Sequence, residues 1–299
     1  MDVNKLRQIK TEKYNSNSKG IDGKSIREII DLVHVEHHGL VEKLDCLKEK
    51  IAAGTELIVV ALQKGNTLYF VGSGTSGRLG ILQSAECPPT FSTDALMIQS
   101  FIAGGESAFL SAKEGAEDSF DAGHSQLNKI IKKHDVVVGL AASGRTPYVI
   151  GALQAAKEKG AFTIVVTTNP GCELGKIADV DISVDVNPPL IVGSTRWTPG
   201  TAQKMVLDEL TSIAMIALGR VYDGYMVALK TNSNEKTQAR AVSNIMCICG
   251  MDEEKAGDAL RNADGDCMAA IVMVKKKIQY GDAVKLLNQH NRNLRKIIG

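Results

Sequence analysis

The sequence predicts an α/β fold: a doubly wound, mostly parallel sheet, with N-terminal helices before it and a small C-terminal helical module after it. Three observations carry this prediction. Short apolar runs rich in Val, Ile and Phe alternate with helical spacing between residues 67 and 186. Glycine- and hydroxyl-rich turns follow the first and third of those runs. Helical periodicity flanks the region on both sides.

Residues 1–23 are polar and expected to be irregular. From Ser25, apolar positions recur at helical spacing (Ile26, Ile29, Ile30, Val33, then Leu40, Val41, Leu44, Leu47, Ile51), with a break near Gly39. Residues 55–64 contain Ile58-Val59-Val60, which suits a strand, but Thr55 as N-cap and Gly65 as stop favour a helix. Strands are expected at 67–71, 95–100, 135–142, 162–169 and 181–186. Helices are expected at 76–86, ended by Pro88-Pro89, and at 106–132 and 148–159. Residues 200–222 form a long helix with more apolar residues than one face requires, which suits a subunit contact. Three short helices follow at 252–263, 265–277 and 281–298, with Gly-Asp at 265 and 281 as helix starts. The expected division is an arm at 1–57, the sheet domain at 58–235 and a helical module at 236–299.

The composition excludes several function classes. With 299 residues, 44% hydrophobic and 23% charged, the chain can bury a core of one large or two ordinary domains. Lys plus Arg is 35 and Asp plus Glu 34, so no broad basic field exists and nucleic acid is not expected as a partner. No run approaches the ~20 apolar residues of a membrane span, and the polar N-terminus lacks the apolar centre of a signal peptide. The six cysteines (46, 87, 172, 247, 249, 267) form no Cys-x-x-Cys pair, so reduced thiols and a cytoplasmic location are expected.

The chemistry concentrates in the turns. Gly72-Ser73-Gly74-Thr75-Ser76-Gly77 matches G-x-G-x-x-G between a strand and a helix. The acid that would hold a dinucleotide ribose is misplaced: Asp94 precedes the second strand, and Gln99-Ser100 end it. Hydroxyls at a helix N-terminus suit a terminal phosphate, because backbone N–H groups and the helix dipole attract the anion. Ser143-Gly144-Arg145-Thr146-Pro147 repeats the arrangement after the third strand. Either loop alone could be an ordinary βα turn; the pair favours phosphate. Glu86, in Ser84-Ala-Glu-Cys-Pro-Pro, is read at a helix C-terminus, where the dipole raises a carboxyl pKa as a general acid requires. Glu117 follows the second strand's loop. A solvated surface acid is the simpler account of each alone. His34 and His38 have metal-ligand spacing but no HExxH around them, and an exposed helix face explains them.

Several segments together carry a resemblance: Thr11-Glu12…Asn15, Gly72 to Arg78, Ser84-Ala-Glu-Cys-Pro-Pro-Thr90, Ile102 to Glu106, Glu114-Gly-Ala-Glu-Asp118, Ala142 to Tyr148, Gly193-Ser-Thr-Arg196 and Gly200-Thr-Ala-Gln-Lys204. In this order they resemble the N-acetylmuramic acid 6-phosphate etherase family, within the sugar isomerase (SIS) domain superfamily, over roughly residues 11–245. The resemblance implies a bacterial, cytoplasmic, homodimeric lyase of cell-wall recycling that needs no cofactor and no metal. Its small-molecule partner would be a sugar phosphate, cleaved to N-acetylglucosamine 6-phosphate and D-lactate by elimination and then hydration. By motif, Glu86 would protonate the departing lactyl oxygen, and Glu117 would act as base at C2 or in the water step. Ser76, Ser143 and Thr146 match the phosphate-holding positions, with Ser73, Thr75 and Ser194 nearby. Two departures stand out: Tyr14 where the family usually has Arg, and Trp197-Thr198-Pro199 before Gly200. A sugar-phosphate-binding regulator and a sugar-phosphate isomerase are the alternatives on the same fold; a lactate assay separates them.

Overall fold

The computed structural model describes residues 3–229, 231 and 235–299. The chain forms two compact units, Met1–Ser84 with Ala95–Thr211, and Ala85–Asp94 with Ser212–Gly299.

The first unit opens with α1 (Val3–Leu6) and three 3-10 turns, at Lys10–Glu12, Ser16–Ser18 and Ile21–Gly23, where irregular chain was expected. The helix α2 (Ile26–His38) starts at a capping box made by Ser25 and Glu28, and α3 (Leu40–Asp45) follows the break at Gly39. Residues 55–63 belong to α4 (Lys48–Gln63), so the helical reading holds. Its start does not: Thr55 is interior, and its hydroxyl donates to the Ile51 carbonyl at 2.8 Å. Gly65, at φ +79°, ends the helix, and the Asn66 N–H donates back to the Ala61 carbonyl at 3.0 Å.

Then come β1 (Leu68–Gly72), α5 (Gly74–Phe91), β2 (Ile98–Ile102), α6 (Ser107–Leu110), α7 (Phe120–Asn128), β3 (Val136–Leu140), α8 (Pro147–Glu158), β4 (Phe162–Thr167), α9 (Glu173–Ile177), β5 (Val180–Ser183) and α10 (Thr198–Ala217). The five strands are parallel, in the order β2-β1-β3-β4-β5. Both β1 and β3 are buried throughout, as strands covered on two faces must be. On one face Tyr69, Val71 and Val137 pack with Leu127, Tyr148 and Leu153 of α7 and α8. On the other, a Cβ on Gly80 of α5 would meet Phe70 and Leu140, and one on Gly54 of α4 would touch Ile164, Ile182 and Leu210. Helices therefore cover both faces, as the alternating pattern requires.

Three expectations are corrected. Helix α5 runs through Pro88 and Pro89 to Phe91 instead of ending at 86. A proline loses its N–H but keeps its carbonyl, and the Ser92 N–H closes the last turn on the Pro88 carbonyl at 2.9 Å. The stretch 106–132 is not one helix: Gly115, at φ +76°, breaks it into α6, a 3-10 turn at Ala116–Asp118 and α7. Helix α10 stops at Ala217 and Gly219 (φ +77°), and a small hairpin follows, β6 (Val221–Tyr222) and β7 (Tyr225–Met226). Asp223-Gly224, both at positive φ, make its turn.

The second unit contains this hairpin and α11 (Glu235–Cys249), α12 (Glu253–Asn262), α13 (Cys267–Lys276), α14 (Tyr280–Gln289) and α15 (Leu294–Ile298). Ala241, Ile245, Leu260, Met268, Ile271, Leu287 and Leu294 lie in its core. Asp252, Asp266 and Asn293 cap α12, α13 and α15 with their side chains. Of the two Gly-Asp pairs only the first starts a helix; Gly281-Asp282 lies inside α14. Among the described residues no helix is long and apolar enough to cross a membrane. All six cysteines are free.

Candidate functional site

The strand order reverses between β1 and β3, and in open α/β sheets ligands bind at that crevice beyond the carboxyl ends of the strands. Gly72 and Leu140 are register partners, so the loops that begin at Ser73 and Ala141 leave the sheet side by side. These are the two hydroxyl-rich loops.

The glycines of the first loop serve close packing. A Cβ on Gly72 would lie 2.7 Å from the Gly77 nitrogen, and one on Gly77 would lie 2.6 Å from a carbon of Ile102. Gly74 takes φ +52° and opens α5. In the second loop, Gly144 takes φ +70° directly over the Cys172 sulfur, where no Cβ fits. The Leu174 N–H donates to the Gly144 carbonyl at 3.0 Å, and Asn169 Nδ2 donates to the Ser143 carbonyl at 3.1 Å. Thr146 is the N-cap of α8, with Pro147 at the first helical position, and its side chain makes no capping bond. A third segment, 193–200, approaches the first loop at its end: a Cβ on Gly200 would lie 3.3 Å from the Thr75 methyl carbon.

Ser73, Thr75, Ser143, Thr146 and Ser194 are half-buried. Ser76 differs. It is only 6% exposed, and its hydroxyl donates to Gln203 Oε1 at 2.8 Å. Gln203 Nε2 donates in turn to the Val166 carbonyl at 2.9 Å. The Ser76 proton is thus committed to a buried strut between the loop, α10 and β4. The signal for Gln203 lay in Gly200-Thr-Ala-Gln-Lys204, but its role needed the geometry. Arg78 likewise donates to the Ala108 and Phe109 carbonyls, each at 2.8 Å, and so secures the segment after β2.

Glu117 is half-buried in the 3-10 turn after β2, and its neighbour Ala116 packs into the core shared with α8. Glu86 is exposed on α5, about three turns from Gly74. It stands inside the helix, so the C-terminal dipole argument does not apply to it. Burial, and next the Glu86 carboxylate, push the Cys87 thiol up to about 11, so that side chain is packing.

The Thr11-Glu12…Asn15 segment feeds a buried carboxylate. Glu36, 6% exposed, accepts from Asn15 Nδ2 at 3.1 Å, Asn17 Nδ2 at 3.0 Å and Asn187 Nδ2 at 3.1 Å. His34 and His38 on the same helix are exposed, and so is Tyr14. The Gly193 N–H donates to the Thr11 carbonyl at 2.9 Å, which ties the arm to the Ser194 segment. Among the described residues no group of three His, Cys, Asp or Glu side chains could hold a metal ion.

Residues 50–157 match the family model described as the glucokinase regulatory protein N-terminal SIS domain. Two phosphoheptose isomerase structures share the fold, from Francisella tularensis (17% identity) and Neisseria gonorrhoeae (19%); each covers 64% of this chain and 98% of its own, with TM-score 0.50. Much closer are curated proteins called N-acetylmuramic acid 6-phosphate etherase. That of Francisella philomiragia is 42% identical over 288 residues, 96% of this chain and 97% of its own. That of Actinobacillus succinogenes is 41% identical over 294 residues (98% and 96%), and that of Geobacillus thermodenitrificans 39% over 298 (98% and 99%). At this identity over nearly the whole length, the chain belongs to the N-acetylmuramic acid 6-phosphate etherase family.

Proposed function

We propose that this chain cleaves the D-lactyl ether of N-acetylmuramic acid 6-phosphate, in the cytoplasm and as a homodimer. The observation that carries the reading is the near-full-length match to relatives of that name. The site supports it: hydroxyls of Ser73, Thr75, Ser143 and Thr146 line adjacent loops at the switch point, where backbone N–H groups add donors for a phosphate. Ser194 joins from the third segment, and Ser76 serves the phosphate by fixing the first loop through Gln203.

The open-chain aldehyde acidifies the proton at C2. Glu117 removes it as a carboxylate, the electron pair forms the C2–C3 double bond, and the C3–O bond breaks. Glu86 gives its proton to the departing lactyl oxygen, completing D-lactate. The two carboxyls have then exchanged charge states. Hydration uses them in reverse: Glu86 takes a proton from water as its oxygen bonds C3, and Glu117 returns the proton to C2. No redox step occurs, so nicotinamide has no part in it.

The purified chain is expected to release D-lactate from N-acetylmuramic acid 6-phosphate without added nicotinamide. Glu86→Gln, at an exposed position, is expected to lose at least ~100-fold in kcat with an unchanged melting temperature. Full activity in that variant removes Glu86 from the mechanism. The match of residues 50–157 to a regulatory-protein domain favours one second reading, a sugar-phosphate sensor. Tight sugar-phosphate binding without lactate release would select it.

A further inference from the structure

The second hydroxyl loop has another side. Next to it, over the carboxyl end of β4, lies a cleft of about 510 Å³ lined by Gln8, Arg145, Asn169, Cys172, Glu173 and Lys176. Neither Ser143 nor Thr146 lines it, although Arg145 stands between them in sequence. Arg145 is half-buried and, among the described residues, makes no ion pair or side-chain hydrogen bond. Lys176 is also without an ion pair there, so two cations face one carboxylate, Glu173.

A half-buried guanidinium without a partner has lost hydration and gained nothing in return, which makes it a ready acceptor site for a planar carboxylate bound through two N–H groups. The backbone that carries it is fixed at three points. Gly144 sits on Cys172, the Leu174 N–H holds the Gly144 carbonyl, and Asn169 holds the Ser143 carbonyl. An arginine presented on a fixed loop gives up little conformational entropy on binding.

The proposed substrate carries two anions, the 6-phosphate and the carboxylate of the lactyl group, and the sugar product keeps only the first. We propose that Arg145, assisted by Lys176, binds the lactyl carboxylate and is the residue that distinguishes the substrate from other sugar phosphates. The inference rests on the etherase reading and adds a specificity element to it. One loop then serves both anions: its terminal hydroxyls face the phosphate, and its central arginine takes the carboxylate from the side of β4.

The test compares two ligands in the full chain. For Arg145→Gln, the KM for N-acetylmuramic acid 6-phosphate is expected to rise roughly 10–100-fold, the loss of one charge-assisted pair. The inhibition constant of N-acetylglucosamine 6-phosphate is expected to stay within about twofold. Arg145→Lys, which keeps the charge without the fork, is expected to fall between. Among the described residues the side chain makes no ion pair or side-chain hydrogen bond, so the melting temperature should move little. Equal weakening of both ligands would assign Arg145 to the phosphate and overturn the proposal. Unchanged constants for both would overturn it as well. If the unaltered chain releases no lactate, the etherase reading itself fails and this inference falls with it.

Discussion

Substituting Gly144 by Ala strikes two separate features of the phosphate loop. The first is backbone conformation: φ is +70°, and an L-residue in that region costs about 1–2 kcal/mol. The second is space. The new methyl group would fall on the Cys172 sulfur, well inside the 3.0 Å that real Cβ atoms keep, and the Cys172 Cβ stands almost as close. Overpacking of this kind costs about 1–3 kcal/mol. Gly144→Ala should therefore destabilise the first unit by about 2–5 kcal/mol. The two parts separate in a double-mutant cycle with Cys172→Gly, which removes both offending atoms. The pair should be less destabilised than the sum of the single changes by about 1–3 kcal/mol, while the φ penalty persists. Cys172→Ala keeps the Cβ and should rescue less. Urea unfolding followed by the fluorescence of Trp197, the sole tryptophan and a residue of the same unit, reads the midpoints at constant slope. A coupling below about 0.5 kcal/mol, or rescue by Cys172→Ala equal to that by Cys172→Gly, would refute the steric argument.

Ser76→Ala strips Gln203 Oε1 of its donor and should cost about 1–2 kcal/mol, whereas Ser143→Ala and Thr146→Ala should leave the urea midpoint unchanged and raise KM. Equal stability losses in all three would deny Ser76 its distinct role. Glu36→Gln turns an acceptor of three amide donors into a side chain that is partly a donor itself, and should lower stability by about 1–3 kcal/mol in thermal melts. Burial raises the Asp179 carboxyl, but donation from the Thr163 hydroxyl and N–H, at 2.7 and 2.8 Å, and the charge of Lys157 outweigh it and hold the pKa below its ordinary value. Its stabilisation is thus present above about pH 4 and lost as pH falls through the lowered folded value. The stability gap between the wild type and Asp179→Asn should be full near neutrality and close in acid; a gap independent of pH would refute this.

Local rules carried the sequence reading far. Alternation of apolar runs with helical periods located all five strands of the sheet, because each strand is a short segment whose burial shows in its own residues. The rest was decided where distant residues overruled or completed a local signal. Pro88-Pro89 read as a stop, yet α5 passes through them, since only two backbone donors are lost and the last turn still closes on the Pro88 carbonyl. Ser76 read like its hydroxyl neighbours, yet its partner lies 127 residues away in α10, and no spacing rule reaches that far. Glu36 passed unnoticed between the more conspicuous His34 and His38, because its three amide donors come from the arm and from Asn187.

By itself, then, the sequence determined the α/β class, the parallel doubly wound sheet and the ordered motifs of the etherase family, on which the proposal for Glu86 and Glu117 rests. All of these are encoded in short stretches, where side-chain period, turn chemistry and motif order act over a few residues. Only the tertiary structure decided that β1 lies between β2 and β3, so that the two hydroxyl loops emerge together, and that Gln203 Oε1 accepts the hydrogen bond of the Ser76 hydroxyl. It also placed Arg145 in a cleft where, among the described residues, it makes no ion pair or side-chain hydrogen bond. Those facts depend on contacts between residues far apart in the chain, which form where the packing of helices on both faces fixes the strand order, and which leave no periodic trace in the residues that make them.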